Sequence, residues 1–275
     1  MTTLTSPSLA TTHEGRRLLP FLNVLFFVLT LLVNGLSSVG LLNGRTPAEI
    51  SDSLPSFFTP ANFTFAIWSV IYLGLSSFIV YQALPSQRAN PQLAGIGPWF
   101  ILASLGNMGW IFAWHWGYYV LTVPLMLLLL VALMVIYVRL GIGLPAAQRP
   151  YPVTRADRWF IHTPFSLYLA WITVANIANA ATTLVSLGWD GFGLPGPVWA
   201  AILVVTAALV TVLVLRRRTD YAFAGVILWA LLGIFAKQGA ETVIAVAVAI
   251  AAILIIGALI LSTFRSRMAQ MTPKS

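Results

Sequence analysis

Read along the chain, apolar residues gather in eight long runs separated by short polar breaks, at about 19–42, 61–83, 97–116, 119–142, 160–186, 197–215, 221–237 and 241–263. The hydrocarbon core of a bilayer is about 30 Å thick, and roughly 20 apolar residues of helix cross it. Each run meets or approaches that length. The seventh is the shortest, and the eighth (TVIAVAVAIAAILIIGALILS) has almost no polar side chain. Open β-structure is excluded, because unpaired backbone groups cannot face lipid. The pattern predicts an all-α, polytopic membrane helix bundle with about eight transmembrane helices. The first run is long enough to span, and no small-residue cleavage site clearly follows it. It reads as a retained helix rather than a signal peptide.

Composition hardens this picture. Of 275 residues, 59% are apolar or aromatic and 8% are charged, where a soluble chain carries roughly a quarter charged residues. Mean hydropathy is +0.89. With no cysteine, disulfides, thiolate metal sites and cysteine nucleophiles are ruled out. The net charge of +8 acquires meaning only once the spans are drawn. Arg16, Arg17, Arg88, Arg139, Arg149, Arg155, Arg158, Arg216, Arg217, Arg218, Arg265, Arg267 and Lys274 fall on one side, and Arg45 and Lys237 on the other. Thirteen of the 15 cations therefore share a side, which the positive-inside rule reads as cytoplasmic. Both termini are expected in the cytoplasm, as tails of about 1–18 and 264–275, and the expected location is a bacterial inner (plasma) membrane. The Arg216–Arg218 run reads as a stop signal compatible with lipid headgroup contact. No motif supports nucleic-acid binding.

Ion-coupled carriers and proton pumps place charged groups inside their spans. Here Glu14, Glu49, Asp52, Asp157, Asp190, Asp220 and Glu241 all fall in loops or at helix ends, which argues against such a role. His13 lies in the tail, and His115 and His162 fall at opposite ends of the bundle, so those two cannot share one haem iron. Metal clusters, phosphate loops and nucleophile–base pairs are not recognisable. Across the break between the last two spans, Gly239 suits a tight turn, over which Lys237 and Glu241 could pair. Gly225 and Gly233 suit close packing of the seventh helix, with simple flexibility as the competing reading.

What remains inside the spans is aromatic and amide chemistry, and it is unevenly placed. Phe65, Trp68 and Tyr72 share a face of the second span, as do Asn107, Trp110 and Trp114 on the third. Trp171, Ala175 and Asn179 do so on the fifth. An interfacial aromatic belt with amides as interhelical glue is the plain reading. Depth weighs against it: at 1.5 Å per residue, Trp68, Asn107 and Asn179 sit roughly 10 Å below the outer helix ends, deeper than headgroups. Three helices thus bring rings and amides to one level, as a pocket for a flat, largely apolar ligand requires. Residues 43–60 (NGRTPAEISDSLPSFFTP) are too long for a simple turn, and Phe57, Phe58 and Pro60 would stand over its mouth. Functional lids have this form, and so do ordinary exposed loops.

At these residues the chain resembles a known family. FTPANFTFAIWSVIY (58–72) is similar to the proline- and aromatic-bearing start of the second helix in the tryptophan-rich sensory proteins, the translocator protein (TspO/MBR) family. Asn107-x-x-Trp110 resembles that family's motif on the third helix, and YLAWITVANIAN (168–179) its motif on the fifth. Departures are Ala61 and Phe63 for a proline and a tryptophan, Leu167 for a proline (with Pro164 one turn earlier), Trp114-His115 for a phenylalanine pair, and Ala178 for a leucine. The resemblance covers about 19–187, implying a five-helix core bundle. The helices of 188–263 have no counterpart in the short members.

The resemblance implies binding of porphyrins, and in better-known members of sterols and drugs, between helices two, three and five beneath the first loop. It carries over Phe65, Trp68, Asn107, Trp110, Trp171, Ala175 and Asn179 as ligand-binding residues, to which Trp114 is added by its position. Some bacterial members are reported to degrade porphyrin in light, a role attributed to the tryptophans matching Trp68 and Trp171; enzymatic turnover is not expected here. The leading expectation is a membrane protein that holds a tetrapyrrole or other planar hydrophobic ligand (porphyrin, sterol-like or carotenoid-like), with no obligatory cofactor and no metal. Rings would supply affinity, and Asn107 and Asn179 would orient polar edges. The rivals are a subunit of a larger, for example pigment-containing, membrane complex and an uncoupled carrier. A homodimer is compatible with each.

Overall fold

The computed structural model describes residues 15–54 and 56–271, with side chains between 18 and 268. His13, Glu14, Lys274 and the side chains of Arg16 and Arg17 lie outside the described residues. Among those described, every regular element is a helix. In chain order they are α1 (Gly15–Ser38), α2 (Pro47–Asp52), α3 (Ile67–Ala83, entered through a 3-10 turn at Asn62–Ala66), α4 (Pro91–Ile96), α5 (Trp99–His115), α6 (Tyr119–Arg139), α7 (Arg155–Asp157), α8 (Thr163–Ser186), α9 (Gly196–Arg217), α10 (Tyr221–Gln238) and α11 (Thr242–Met271).

The eight expected spans are α1, α3, α5, α6, α8, α9, α10 and α11. Seven of these, with the helical turns that continue them, are long and apolar enough to cross a membrane; α5 is not among the seven. Its 17 residues reach about 26 Å at 1.5 Å each. Backbone chemistry stops it at both ends: Gly97 adopts φ 51 and Gly117 φ 75, conformations that only glycine takes readily. The chain is therefore an integral membrane protein whose described residues form a bundle of seven full-length helices and one short one.

Packing divides the bundle into two groups. Helices α1, α3, α5, α6 and α8 form one, with α5 laid closely along α6; α9 and α11 pair, and α10 joins them to α8. Small residues permit the closest approach. A Cβ at Gly106 would stand 3.1 Å from the Leu125 carbonyl oxygen and 3.1 Å from the Leu129 nitrogen, so α5 and α6 meet backbone to backbone there.

Hydrogen bonds tie the helix ends into two opposite sets. At one end, Asp157 before α8 accepts from the Tyr81 hydroxyl at 3.0 Å and from Asn90 Nδ2 at 2.7 Å. Asp220, the N-cap of α10, accepts from the Tyr137 hydroxyl at 2.8 Å, from Ser166 Oγ at 2.7 Å and from the Phe223 amide at 3.0 Å. Arg218 donates to the Ile142 carbonyl at 2.6 Å and covers the Tyr137 ring. At the other end, Ser37 in the last turn of α1 meets His115 at the close of α5 at 2.6 Å, and Thr183 late in α8 donates to the Tyr119 carbonyl at 3.1 Å. The helices thus alternate in direction. The arginines at 88, 139, 149, 155, 158, 216–218, 265 and 267 gather at the first end, and Arg45 and Lys237 at the second. Asp157 and Asp220 lie at helix ends, as the sequence indicated, but at 2% and 6% exposure they are buried.

Candidate functional site

The second end, opposite the arginines, holds an internal cavity of about 70 Å³. Its walls come from α3, α5, α6 and α8, and its roof from α2 and Pro60. Phe65, Trp68, Asn107, Trp110, Trp114, Trp171, Ala175 and Asn179 all line it. The helical spacings explain this convergence on α5 and α8, where each triplet turns one stripe inward, whereas Tyr72 of the first triplet does not line the cavity and backs Trp68 instead. Phe65 arrives differently: it lies in the 3-10 turn ahead of α3.

The rings form one continuous assembly. Trp68 stacks on Tyr72 with centroids 5.4 Å apart and meets Trp171 edge-on at 6.2 Å. Phe65 meets Trp171 edge-on at 6.1 Å, and Trp110 stacks on Trp114 at 5.6 Å. Such contacts add about 0.5–1.5 kcal/mol each beyond burial, so the walls are held in place without a ligand.

The amides are committed within the bundle. Asn107 Oδ1 accepts from Asn34 of α1 at 2.7 Å, while its Nδ2 donates to the Tyr168 hydroxyl at 3.1 Å. Asn179 Oδ1 accepts from the Trp110 indole at 3.0 Å. Asn107 therefore ties α1, α5 and α8 together at the cavity wall. The Trp171 indole nitrogen is different. It is buried and has no hydrogen-bond partner, a state that normally costs about 1–3 kcal/mol.

Above the cavity the first loop, read from the sequence as a lid or an exposed loop, carries a short helix. Thr46 and Glu49 form a reciprocal capping box with Pro47 at the first helical position, which nucleates α2. Pro47 and Ser51 line the cavity, and the Trp114 indole donates to the Pro47 carbonyl at 3.4 Å. Of the three expected lid residues only Pro60 lines the cavity. Phe58 is 1% exposed in the core, and Phe57 lies over Gly196 at the start of α9, where a Cβ would come within 2.7 Å of its ring.

The lid also has an ion pair. Lys237 Nζ lies 2.6 Å from Asp52 Oδ1, so Lys237 reaches the lid rather than Glu241. That contact and the Asn62 amide hold the Asp52 carboxyl below its usual range. Hydrogen bonds from the Thr46 backbone and hydroxyl do the same for Glu49. His115 spends its ring on Ser37 and Asn43, and His162 pairs with Gln92 at 2.7 Å.

Met126, Leu129 and Thr182 also line the cavity, and sequence reading passed over them. Met126 and Leu129 sit in a uniformly apolar helix, where no face stands out.

The family model for TSPO-like proteins matches residues 20–261. The chain belongs to the TSPO-like family. The motif resemblance stopped near residue 187, whereas this match continues through α9 and α10 into α11, so the C-terminal helices are part of what the TSPO-like model describes. No curated protein and no solved structure matches the chain.

Proposed function

We propose that this TSPO-like membrane protein binds a flat, largely apolar molecule of the tetrapyrrole class in the cavity between α3, α5, α6 and α8. The observation that carries this reading is the convergence of four tryptophans, Trp68, Trp110, Trp114 and Trp171, on one cavity, one of them with an unpartnered buried N–H. Rings supply stacking area, and the free N–H suits an acceptor atom on the ligand. At about 70 Å³ the cavity is well below the roughly 300–1,000 Å³ of ordinary small-molecule sites. A tetrapyrrole is therefore admitted only when rings and lid move apart. The role is binding linked to regulation or transport, without turnover. On this reading the arginine-rich end faces the cytoplasm of a bacterial inner membrane and the cavity lies in the outer half of the bilayer.

Protoporphyrin added to the purified protein should quench tryptophan fluorescence, and Trp68→Ala with Trp171→Ala should abolish saturable quenching. Unchanged affinity in the double variant contradicts the site.

The small volume and the internally satisfied Asn107 also suit a second reading, in which the rings are packing elements of a subunit in a larger membrane complex. Stable co-migration with other subunits in gentle detergent would favour it. A discrete monomer or dimer favours the binding protein.

A further inference from the structure

Besides α5, which holds Asn43 and Pro47 through His115 and Trp114, the lid region is fastened by a helix outside the five-helix core. Trp229, Gly233 and Lys237 are spaced i, i+4, i+8 on α10 and so share one face. The Trp229 indole donates to the Thr64 carbonyl at 3.0 Å, and its ring meets Phe63 edge-on at 5.4 Å. One turn on, the Gly233 carbonyl accepts from the Ala61 amide at 2.9 Å. A Cβ at Gly233 would stand 1.9 Å from Thr64 Oγ1, so only glycine lets the segment seat. A further turn on, Lys237 pairs with Asp52, the residue that closes α2 and holds Asn62 at 3.1 Å. These contacts fall on α2 of the lid and on residues 61–64, which join the lid to α3, and Pro60 and Phe65 of the cavity wall flank that segment.

The seating is incomplete. Thr64 is fully buried, yet its hydroxyl has no partner, so lifting the segment returns a polar group to water. The segment is a 3-10 turn, a form with poorer hydrogen-bond geometry that often marks hinges. The contacts that close the lid thus leave one buried polar group unsatisfied, a cost that lifting the segment relieves.

We propose that the Trp229–Gly233–Lys237 face of α10 is a clamp on the lid that sets how fast a ligand reaches and leaves the cavity. This rests on the cavity being a ligand site. It makes the three α10 residues positioning residues that act through Ala61, Thr64 and Asp52 and do not touch the ligand. The C-terminal helices then control exchange rather than affinity.

The test uses the full-length protein, whose lack of cysteine allows a clean reporter. Ala178→Cys places a thiol on the cavity wall, and its labelling by a water-soluble maleimide reports lid opening without any ligand. Trp229→Phe with Lys237→Gln removes two fastenings while keeping an aromatic ring against Phe63. Labelling and both protoporphyrin rate constants should rise about tenfold, the effect expected for losing one or two hydrogen bonds. The dissociation constant should change less than about twofold, because the clamp is remade once the rings have parted around the ligand, so both rates scale with how often the lid opens. Gly233→Ala should act likewise, and adding Thr64→Gly should return the rates to the wild-type values, which a general loss of packing would not allow. Helicity and elution volume check the fold. Unchanged labelling and rates in the Trp229→Phe, Lys237→Gln protein overturn the clamp, as does a Gly233→Ala effect that Thr64→Gly fails to reverse. If protoporphyrin does not bind the wild type while labelling still accelerates, the clamp stands and the tetrapyrrole reading falls.

Discussion

At the arginine-rich end of the bundle the buried carboxylates are fully engaged: Asp157 takes donors from Tyr81, Asn90 and Thr154, and Asp220 from Tyr137, Ser166 and the first turn of α10. At the lid end the polar groups are matched less completely. The Trp171 N–H and the Thr64 hydroxyl are buried and unpartnered, beside a cavity and under a lid. One bundle therefore combines a base whose buried carboxylates are fully engaged, with Asn23 Oδ1 left open nearby, and a mouth where an indole N–H and a hydroxyl are left open beside the cavity. Buried polar networks that are complete rigidify a fold, whereas an unpaired buried polar group costs stability. The C-terminal helices serve both ends: α10 begins at Asp220 in the base and carries the lid clamp toward its close.

Breaking the base should have the largest effect. Asp220→Ala removes an N-cap and strands two buried hydroxyls, which should cost about 2–4 kcal/mol, measured as loss of thermal stability in detergent. Close helix contact comes next. Gly106→Ala pushes a methyl against the backbone of α6 and should cost about 1–3 kcal/mol in the same assay. At the mouth the sign differs. Trp171→Phe removes the unpartnered N–H and keeps a ring, so stability should be unchanged or higher by about 1 kcal/mol, while protoporphyrin affinity falls. Equal destabilisation by Trp171→Phe and Asp220→Ala would erase the contrast between the two ends.

The smallest effect is the pH dependence of the lid pair. Folding lowers the Asp52 pKa, so its contribution is present above the unfolded value of about 3.9 and is lost as pH falls through the lower folded value. Both side chains are partly exposed, so the contribution stays below about 1 kcal/mol. Comparing wild type with Asp52→Asn by thermal unfolding, the stability difference should shrink as pH drops below about 4.

The helices were legible because apolar runs of bilayer length have few other solutions, and the cavity stripe because period 3.6 fixes which residues share a face. The third run, 97–116, matched α5 (Trp99–His115) to within two residues; what it did not show is that Gly97 and Gly117, both at positive φ, hold that helix below full span length. The sequence Thr46-Pro47-Ala48-Glu49 carried a legible capping signal for α2 that the loop reading passed over. Gly233 was singled out as a small packing residue, and the structure supplies its contact, whereas nothing approaches Gly225 within 4 Å. Long-range partners stayed hidden for a topological reason. Asn107 bonds Asn34 across 73 residues and Lys237 bonds Asp52 across 185, and no local pattern encodes which helix ends meet.

The central claim is that a flat ligand occupies the space between the tryptophans. Ala175 lines that space without supplying a ring or a hydrogen bond, so Ala175→Leu fills it and leaves the aromatic assembly in place. Titrating protoporphyrin against this variant should show affinity at least about tenfold weaker, with thermal stability equal or raised by about 0.5–2 kcal/mol, as cavity filling commonly gives. Wild-type affinity in a folded Ala175→Leu protein would place the ligand elsewhere.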